Sequence, residues 1–263
     1  MSTKTTKPMV RRPAGAESGG QPPPTPPPAA PLRETALAPC NICGSLAFKP
    51  GPNHRMVGDG IPPVCAGCGS FERHRAVRQI FDKVRPHRFS SLNALQFGRD
   101  RGVAGGWFRS FRRADEPPKT GKAETLSPDK IALPDAGMDV VLASYVLESL
   151  PDYRLALREI GRVISDHGFA FIALQSPQLR AVTQELPRTA NSATDRYRTF
   201  GRDIEPELAS LLPDLHVIRA VAQDPATLVE GWGYFITMDD DFAAFLFERG
   251  LQAKFVNIRK IIG

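Results

Sequence analysis

The sequence predicts an α/β fold: a mostly parallel sheet with an antiparallel edge strand, preceded by a small cysteine-bearing module and a disordered proline-rich tail. Three observations predict it. Residues 138–174 read as one β-α-β unit, four cysteines fall in two spaced pairs, and residues 1–39 have a composition that cannot build a core. In the β-α-β unit, Met138 to Ser144 is a short, nearly continuous apolar run rich in β-branched residues, as expected of a strand covered on both faces. Pro151 and Asp152 then open a segment whose Leu155, Ala156, Ile160, Val163 and Ile164 recur at helical spacing. Gly168 suits a left-handed helix-ending position, and Phe169 to Leu174 supplies the next strand. A strand, crossover helix and strand of this kind make a parallel sheet, whose ligands sit beyond the carboxyl ends of its strands.

Composition narrows the class further. With 263 residues, 41% of them hydrophobic, and no apolar run long enough to cross a bilayer, the chain is expected to be soluble with one sizeable core and no membrane partner. Met1 to Arg12 is polar and basic with no apolar stretch behind it, so a cytoplasmic location is expected. The formal charge is +6, but residues 1–39 hold five basic and two acidic residues, so half of the excess lies in the tail. Nucleic-acid binding therefore has no support from the charge of the body. The tail itself carries Pro22 to Pro28 around a single threonine, a composition that extends as polyproline II and reads as a solvated linker.

Residues 40–88 form the cysteine module and its linking helix, and 89–263 form the α/β body. The pattern is Cys40-x2-Cys43, twenty-one residues, Cys65-x2-Cys68, with a glycine after each pair and no cysteine left over. Two residues between thiolates let a tight turn aim both sulfurs at one ion, and four thiolates close a structural tetrahedral zinc site in a zinc-ribbon-like module. Disulfides compete with this reading, and the absence of a secretion signal weighs against them. His54 and His74 are spare candidate ligands. Next come Ser70, a candidate helix cap, and the charged run Glu72-Arg73-His74-Arg75, which could grip an anionic ligand, hold the module against the body, or be a solvated turn with a Glu72–Arg75 pair. Ala76, Val77, Ile80, Phe81 and Val84 follow at core spacing.

In the body, Ser91 to Phe97 reads as the first strand, ending at Gly98-Arg99-Asp100 with Gly102, Gly105 and Gly106 close behind. A nucleotide-like cofactor would approach the backbone here, although the spacing is not G-x-G-x-x-G. Asp115 follows the short segment from Ser110 to Ala114, and Asp129 precedes Leu133-Pro134. Two acids at successive strand ends can bind a ribose diol and an adenine amino group.

The stretch from Asp129 to Ile164 resembles the central region of class I S-adenosylmethionine-dependent methyltransferases, of the type 11 kind. Cys68-Gly-Ser-Phe-Glu-Arg-His-Arg75 resembles the end of the four-cysteine module that precedes the domain in one subgroup, whose first glycine-rich loop is a short turn ending in an acid, as in Phe97-Gly98-Arg99-Asp100. The resemblance covers residues 40–205 and implies a Rossmann-like fold, S-adenosylmethionine as cofactor and structural Zn2+. It further implies Gly98 and Asp100 near the methionine part, Asp115 at the ribose, Asp129 at the adenine, and Ser144 and Tyr145 flanking the sulfonium. Three positions depart from the pattern, since Ser149 and Tyr145 stand where relatives often have histidine, and Asp195-Arg196-Tyr197-Arg198 has Arg196 in place of the histidine of an Asp-His-x-Arg motif. The methyl acceptor and any catalytic residue are left unassigned, with Asp195, Tyr145 and Glu148 as candidate bases. Arg180, Arg188, Arg196, Arg198 and Arg202 lie between Gln175 and Asp203, where they could face an anionic acceptor or simply be solvated. A cofactor-binding relative without turnover, and a zinc-dependent nucleic-acid or protein adaptor, are the alternatives.

Beyond Asp203, the pattern predicts a helix around Leu208–Leu212, strands over His216–Val221 and Trp232–Thr237, and an amphipathic helix from Asp241 to Ile262 whose apolar face carries Phe242, Phe245, Leu246 and Leu251.

Overall fold

Backbone hydrogen bonding in the computed structural model organises the chain around a central seven-stranded sheet with helices on both faces. The structure describes residues 37–85, 89–116, 126–187 and 196–259. The tail expected to be disordered therefore lies outside the described residues apart from its last three positions, as do Arg188 and Asp195.

In chain order, β1 (Phe48–Lys49) and β2 (Val64–Cys65) form a two-stranded antiparallel ladder, followed by α1 (Glu72–Val84). The sheet takes β3 (Asn93–Phe97), β4 (Ser110–Arg113), β5 (Met138–Ser144) and, after α2 (Tyr153–Val163), β6 (Ile164–Ala173). A small ladder, β7 (Gln184–Glu185) with β8 (Arg198–Thr199), precedes α3 (Ile204–Leu211). Then come β9 (His216–Gln223), β10 (Glu230–Thr237), α4 (Asp240–Phe247) and β11 (Lys254–Asn257). Spatial order across the sheet is β11-β9-β10-β6-β5-β3-β4. Strands β4, β3, β5 and β6 are mutually parallel, while β10 runs antiparallel to both β6 and β9. The antiparallel component expected at the edge thus comprises β10 and β11, with β11 outermost. Among the described residues no helix is long and apolar enough to cross a membrane.

One face of the sheet is covered by α2 and α3, the other by α1 and α4. In α2, Asp152 caps the amino end by accepting from Arg154 and Leu155 N–H at 3.0 and 3.1 Å, and Tyr153, Ala156, Leu157, Ile160 and Val163 are buried. Leu155, expected in that face, is instead 42% exposed, because the stripe is centred on Leu157, one helical turn from both Tyr153 and Ile160. In α1 the expected face is buried in full: Val77, Ile80, Phe81 and Val84 pack on the phenylalanines of β6 and β10, with the Phe81 and Phe171 rings 4.8 Å apart.

Two further expectations are corrected. Gly168 does not end a helix: α2 passes directly into β6, and Gly168 lies inside that strand, where a side-chain carbon would meet the Asp139 carbonyl oxygen at 2.4 Å. The glycine serves a close approach of two strand backbones rather than a left-handed turn. The helix expected over Asp241–Ile262 ends at Phe247, and the chain returns as β11 to pair with β9. Open backbone groups on the outer edge of β9 reward a strand there more than helix continuation would. Phe242, Leu246 and Leu251 are buried nonetheless, as their spacing predicts.

Candidate functional site

The four cysteines come together. Their ligand atoms all lie within 4.8 Å of one another, with Cys40 and Cys68 sulfurs 3.8 Å apart and Cys43 and Cys65 sulfurs 3.5 Å apart. Zinc–sulfur bonds of about 2.3 Å in a tetrahedron give sulfur–sulfur edges of about 3.8 Å, so the cluster has the dimensions of that site, while a disulfide would need about 2.05 Å. Both pairs use the same turn: Gly44 N–H donates to Cys40 C=O at 2.7 Å, and Gly69 N–H to Cys65 C=O at 2.9 Å. The cysteines titrate together: against the desolvation that opposes it, hydrogen bonds from the backbone of Cys68 and from Cys43 lower the Cys65 thiol to about 6, while, against a hydrogen bond from the Ser45 backbone, burial and the neighbouring sulfurs push Cys43 up to about 12. His54 and His74 stand outside the cluster. The His74 ring instead accepts from Phe71 N–H at 3.2 Å, and burial with the charges of Arg73, Arg101 and Arg75 lowers its pKa to about 3.

Ser70 does not cap α1. It is fully buried with its hydroxyl 3.1 Å from Cys68 Sγ, and Phe71 occupies the capping position. Nor do Glu72 and Arg75 pair with each other. Glu72 binds Arg55 at 2.8 Å, and Arg75 makes a bidentate pair with Asp224 at 2.7 and 2.8 Å, both side chains fully buried. Arg75 also donates to the carbonyls of Ser70 and Pro63, each at 2.9 Å. One guanidinium thereby ties the cysteine module to the loop between β9 and β10. Asp224, 149 residues away in sequence, carried no signal that could have identified it.

Beside the module, a cleft of about 560 Å³ opens at the carboxyl ends of β3 and β4, lined by Arg99 to Arg101, Val103 to Gly105, Arg113, Asp115 and Glu116, and by Ile42 and Cys68 of the module. Arg101 crosses from one side to the other, donating to the Cys68 carbonyl at 2.8 Å. Gly98 turns out of β3 with φ +75°, and a side-chain carbon there would lie 2.8 Å from Val146 and 3.3 Å from the Ser144 carbonyl. Asp100 is buried at 4% exposure. Its Oδ1 accepts from Gly102 N–H at 2.7 Å, and its Oδ2 has no hydrogen-bond partner. Burial pushes this carboxyl up to about 6, against the opposing influence of the nearby Ser144 hydroxyl, Gly102 N–H and Arg73. Asp115 follows β4 into the same cleft and pairs with Arg99 at 3.2 Å.

The other expected positions are not among the residues that line this cleft. Ser144, at the carboxyl end of β5, is buried with its hydroxyl beside the Asp100 carboxylate. Tyr145 follows with φ +60°, its hydroxyl donating to the Arg73 carbonyl at 3.1 Å. Asp129 accepts from the Ser127 hydroxyl in a turn bridged by Ser127 and Lys130, not at a strand end, and residues 117–125 before it lie outside the described set. Glu148 is buried in a short 3₁₀ turn after β5. One oxygen accepts from Gln175 N–H at 2.7 Å, the other has no partner, and burial raises its pKa. Arg198 does not face a ligand: buried, it donates to the carbonyls of Leu147, Leu150 and Pro151 and pairs with Glu185. Sequence reasoning missed Gln96, whose buried amide reaches the Asp100 carbonyl at 3.2 Å, although a glutamine inside the apolar run Leu95-Gln96-Phe97 is such a signal.

The buried carboxylate of Asp100, which lines the open cleft beside the Ser144 hydroxyl, fits a ligand carrying cationic or hydrogen-bond-donating groups, and the exposed carboxylate of Asp115 fits a diol.

No curated protein sequence matches the chain. Among solved structures it is similar to 1,6-didemethyltoxoflavin-N1-methyltransferase from Burkholderia thailandensis, at 20% identity over 62% of this chain and 78% of that one, with a TM-score of 0.43. It is also similar to a SAM-dependent methyltransferase from Methanosarcina mazei, at 13% identity over 58% and 95% of the two chains and a TM-score of 0.38. Residues 110–172 match the family described as a methyltransferase domain. That match spans β4 to β6, includes Asp115, Asp129, Ser144 and Tyr145, and leaves Gly98, Asp100 and the four cysteines outside it.

Proposed function

We propose that the protein is an S-adenosylmethionine-dependent methyltransferase whose cofactor site is the cleft at the carboxyl ends of β3 and β4, walled on one side by a four-cysteine module that holds structural zinc. The observation that carries this reading is the convergence of Asp100 and Asp115, from two successive parallel strands, on one cleft of about 560 Å³. The match of residues 110–172 to a methyltransferase domain supports it. Asp115 would hold the ribose hydroxyls, and Asp129 would approach the adenine. Gly98 would let the cofactor lie against the backbone, while Asp100 and Ser144 would face the cationic methionine part, with Tyr145 beside the sulfonium. The bound cofactor supplies an activated methyl group, so the protein's own residues chiefly orient the acceptor and exclude water. For an acceptor hydroxyl or ammonium that must lose a proton, Asp195, Tyr145 and Glu148 are the candidate bases, and Glu148 is buried with one oxygen uncommitted. A thiolate cluster held for a metal suits a reducing, cytoplasmic compartment.

A second reading, cofactor binding without turnover, is favoured by Ser149, which is exposed and has no proton-shuttling group where relatives often have histidine. Calorimetry with S-adenosylmethionine tests the shared part: micromolar binding that Asp115→Ala weakens by at least about tenfold is expected, and wild-type protein that binds none would overturn both readings. Labelled methyl transfer to fractionated cell extract separates them, since only the first predicts incorporation.

A further inference from the structure

Three non-glycine residues with left-handed backbone surround one niche. Tyr145 (φ +60°) follows β5, Ser176 (φ +51°) stands in the loop after β6, and Leu228 (φ +59°) lies in the turn that leads from β9 to β10. Tyr145 and Ser176 line the niche, and Leu228 precedes Val229, which lines it too. Backbone of this kind is strained for a residue with a side chain, and such strain clusters at sites that bind or react. The niche holds about 30 Å³, room for one small functional group. It lies at the carboxyl ends of β5 and β6, the side of a parallel sheet on which ligands bind.

The buried polar atoms left open here are acceptors. Gln175 lines the niche, and its amide oxygen is buried without a hydrogen-bond partner among the described residues. Behind it, the Gln175 backbone N–H donates to one Glu148 oxygen at 2.7 Å, and the other Glu148 oxygen is likewise buried and unpartnered. The turn that carries Glu148 is fastened. Tyr197 N–H donates to the Glu148 carbonyl at 2.8 Å and Arg198 to the carbonyls of Leu147 and Leu150 at 3.2 and 2.6 Å, so the turn is not free to carry Glu148 to a partner of its own. Two buried acceptor oxygens left open call for a donor. The other carboxylates of the niche are engaged, Glu72 by Arg55 and Glu230 by the Trp232 indole, and the Tyr145 hydroxyl donates to the Arg73 carbonyl. Arg73 adds a cation to the same walls, which disfavours an ammonium and favours an oxygen that gains negative charge as it reacts.

A single stretch of chain separates the niche from the cleft. Ser144 and Val146 pack against Gly98, where a side-chain carbon would lie 3.3 Å from the Ser144 carbonyl and 2.8 Å from Val146, and the Ser144 hydroxyl stands beside the Asp100 carboxylate that lines the cleft. Tyr145, between them, lines the niche. We propose that the niche takes the hydroxyl of a neutral methyl acceptor, which Gln175 binds through its amide oxygen and Glu148 deprotonates. This rests on the reading of the cleft as an S-adenosylmethionine site. In the transfer the acceptor oxygen bonds to the methyl carbon, the sulfur–methyl bond breaks with its electron pair passing to sulfur, and the hydroxyl proton passes to the open Glu148 oxygen. The products are a methyl ether, S-adenosylhomocysteine and a protonated Glu148, which returns its proton to solvent. Burial raises the pKa of Glu148 and so strengthens it as a base.

Labelled methyl transfer from S-adenosylmethionine to the fractionated small molecules of a cell extract tests it, with wild type and Glu148→Gln compared. The expected label is in a product that a cation exchanger does not retain at low pH and that alkali does not cleave, as for a methyl ether. Glu148→Gln should lower the rate by about 100-fold or more, while calorimetry finds its affinity for S-adenosylmethionine unchanged. Gln175→Leu should raise the amount of active fraction needed for half-maximal rate by about tenfold. A product retained as a cation would overturn the proposal by pointing to nitrogen, and a label that alkali releases as methanol would overturn it by pointing to a carboxylate. So would an undiminished rate in Glu148→Gln, or a loss of cofactor affinity in that variant, since Glu148 would then shape the cleft. Wild-type protein that binds the cofactor and methylates no fraction overturns the proposal and leaves the cofactor site standing. Wild-type protein that binds no cofactor sinks the cofactor reading itself.

Discussion

Asp100 shows how one side chain can report on the whole site. Its carboxyl is held near 6 by burial, above its ordinary value of 3.8, so the folded protein binds that proton more tightly than the unfolded chain does. The sign follows: without ligand, stability declines as pH rises from about 3.8 through about 6, because ionisation leaves a buried charge with one oxygen unsatisfied. A cationic ligand reverses the penalty by supplying the missing partner. Affinity for S-adenosylmethionine, followed by calorimetry between pH 5 and 8, is therefore expected to be flat above about 6 and to fall by up to about tenfold per unit below it. Asp100→Asn should bind more weakly by about 10-fold or more and lose the pH dependence. A wild-type profile with no inflection near 6 would remove Asp100 from the cation site. Asp100 was legible in the sequence because an acid ends a strand there. The partners of Glu72 and Arg75 were not, since the same charged run is compatible with a ligand, a latch or a solvated turn until Arg55 and Asp224 are brought beside it.

At the level of elements, the sequence is most legible where the apolar pattern is strong. Strand β5 lies where its apolar run begins and ends, and α1 buries each residue of its predicted stripe. Errors fell where a tertiary partner outweighed local preference. Gly168 was taken for a helix end because a glycine after an apolar turn usually is one, but the Asp139 backbone that excludes any side chain belongs to another strand. Gly168→Ala is therefore expected to cost about 1–3 kcal/mol in denaturant unfolding through displaced strand backbone, and a cost near zero would mean that β5 and β6 can separate freely at that point. The far helix was lost because β9 offered a free edge that residues 254–257 could pair with. The Arg75–Asp224 pair lay beyond any local signal. Arg75→Ala would strand a fully buried Asp224 and should destabilise the protein by about 3–5 kcal/mol. Replacing both partners with apolar residues of similar volume is expected to cost much less, and equilibrium unfolding of the three proteins separates the penalty of an orphaned charge from the worth of the pair.

Across the whole molecule, the module and the sheet share one binding surface, which distinguishes this arrangement from a metal domain tethered to an enzyme. Helix α1 covers one face of the sheet, Arg75 fastens the module to the β9–β10 loop, and Ile42 and Cys68 stand in the wall of the cleft. Arg101 reaches from the β3 side to the Cys68 carbonyl, so the backbone of a cysteine turn takes part in shaping the cleft. A ribbon with only two residues in each strand of its ladder has too little burial of its own to keep that turn in place. On the proposed reading, in which the module holds zinc and the cleft holds S-adenosylmethionine, the two would be thermodynamically linked: each would favour the conformation that the other needs, by the same factor. Removing zinc with a chelator should therefore weaken S-adenosylmethionine binding by at least about tenfold, while far-ultraviolet circular dichroism keeps the signature of the central sheet, whose own cores on both faces contain none of the four cysteines. Restoring zinc should restore the affinity, and saturating cofactor should slow zinc loss to a chromophoric chelator. Arg101→Ala is expected to reduce the linkage without abolishing either binding event. If the metal-free protein keeps its sheet and binds the cofactor as tightly as the zinc-loaded form, the cleft is complete without the module, and the wall built by Ile42 and Cys68 contributes nothing to recognition.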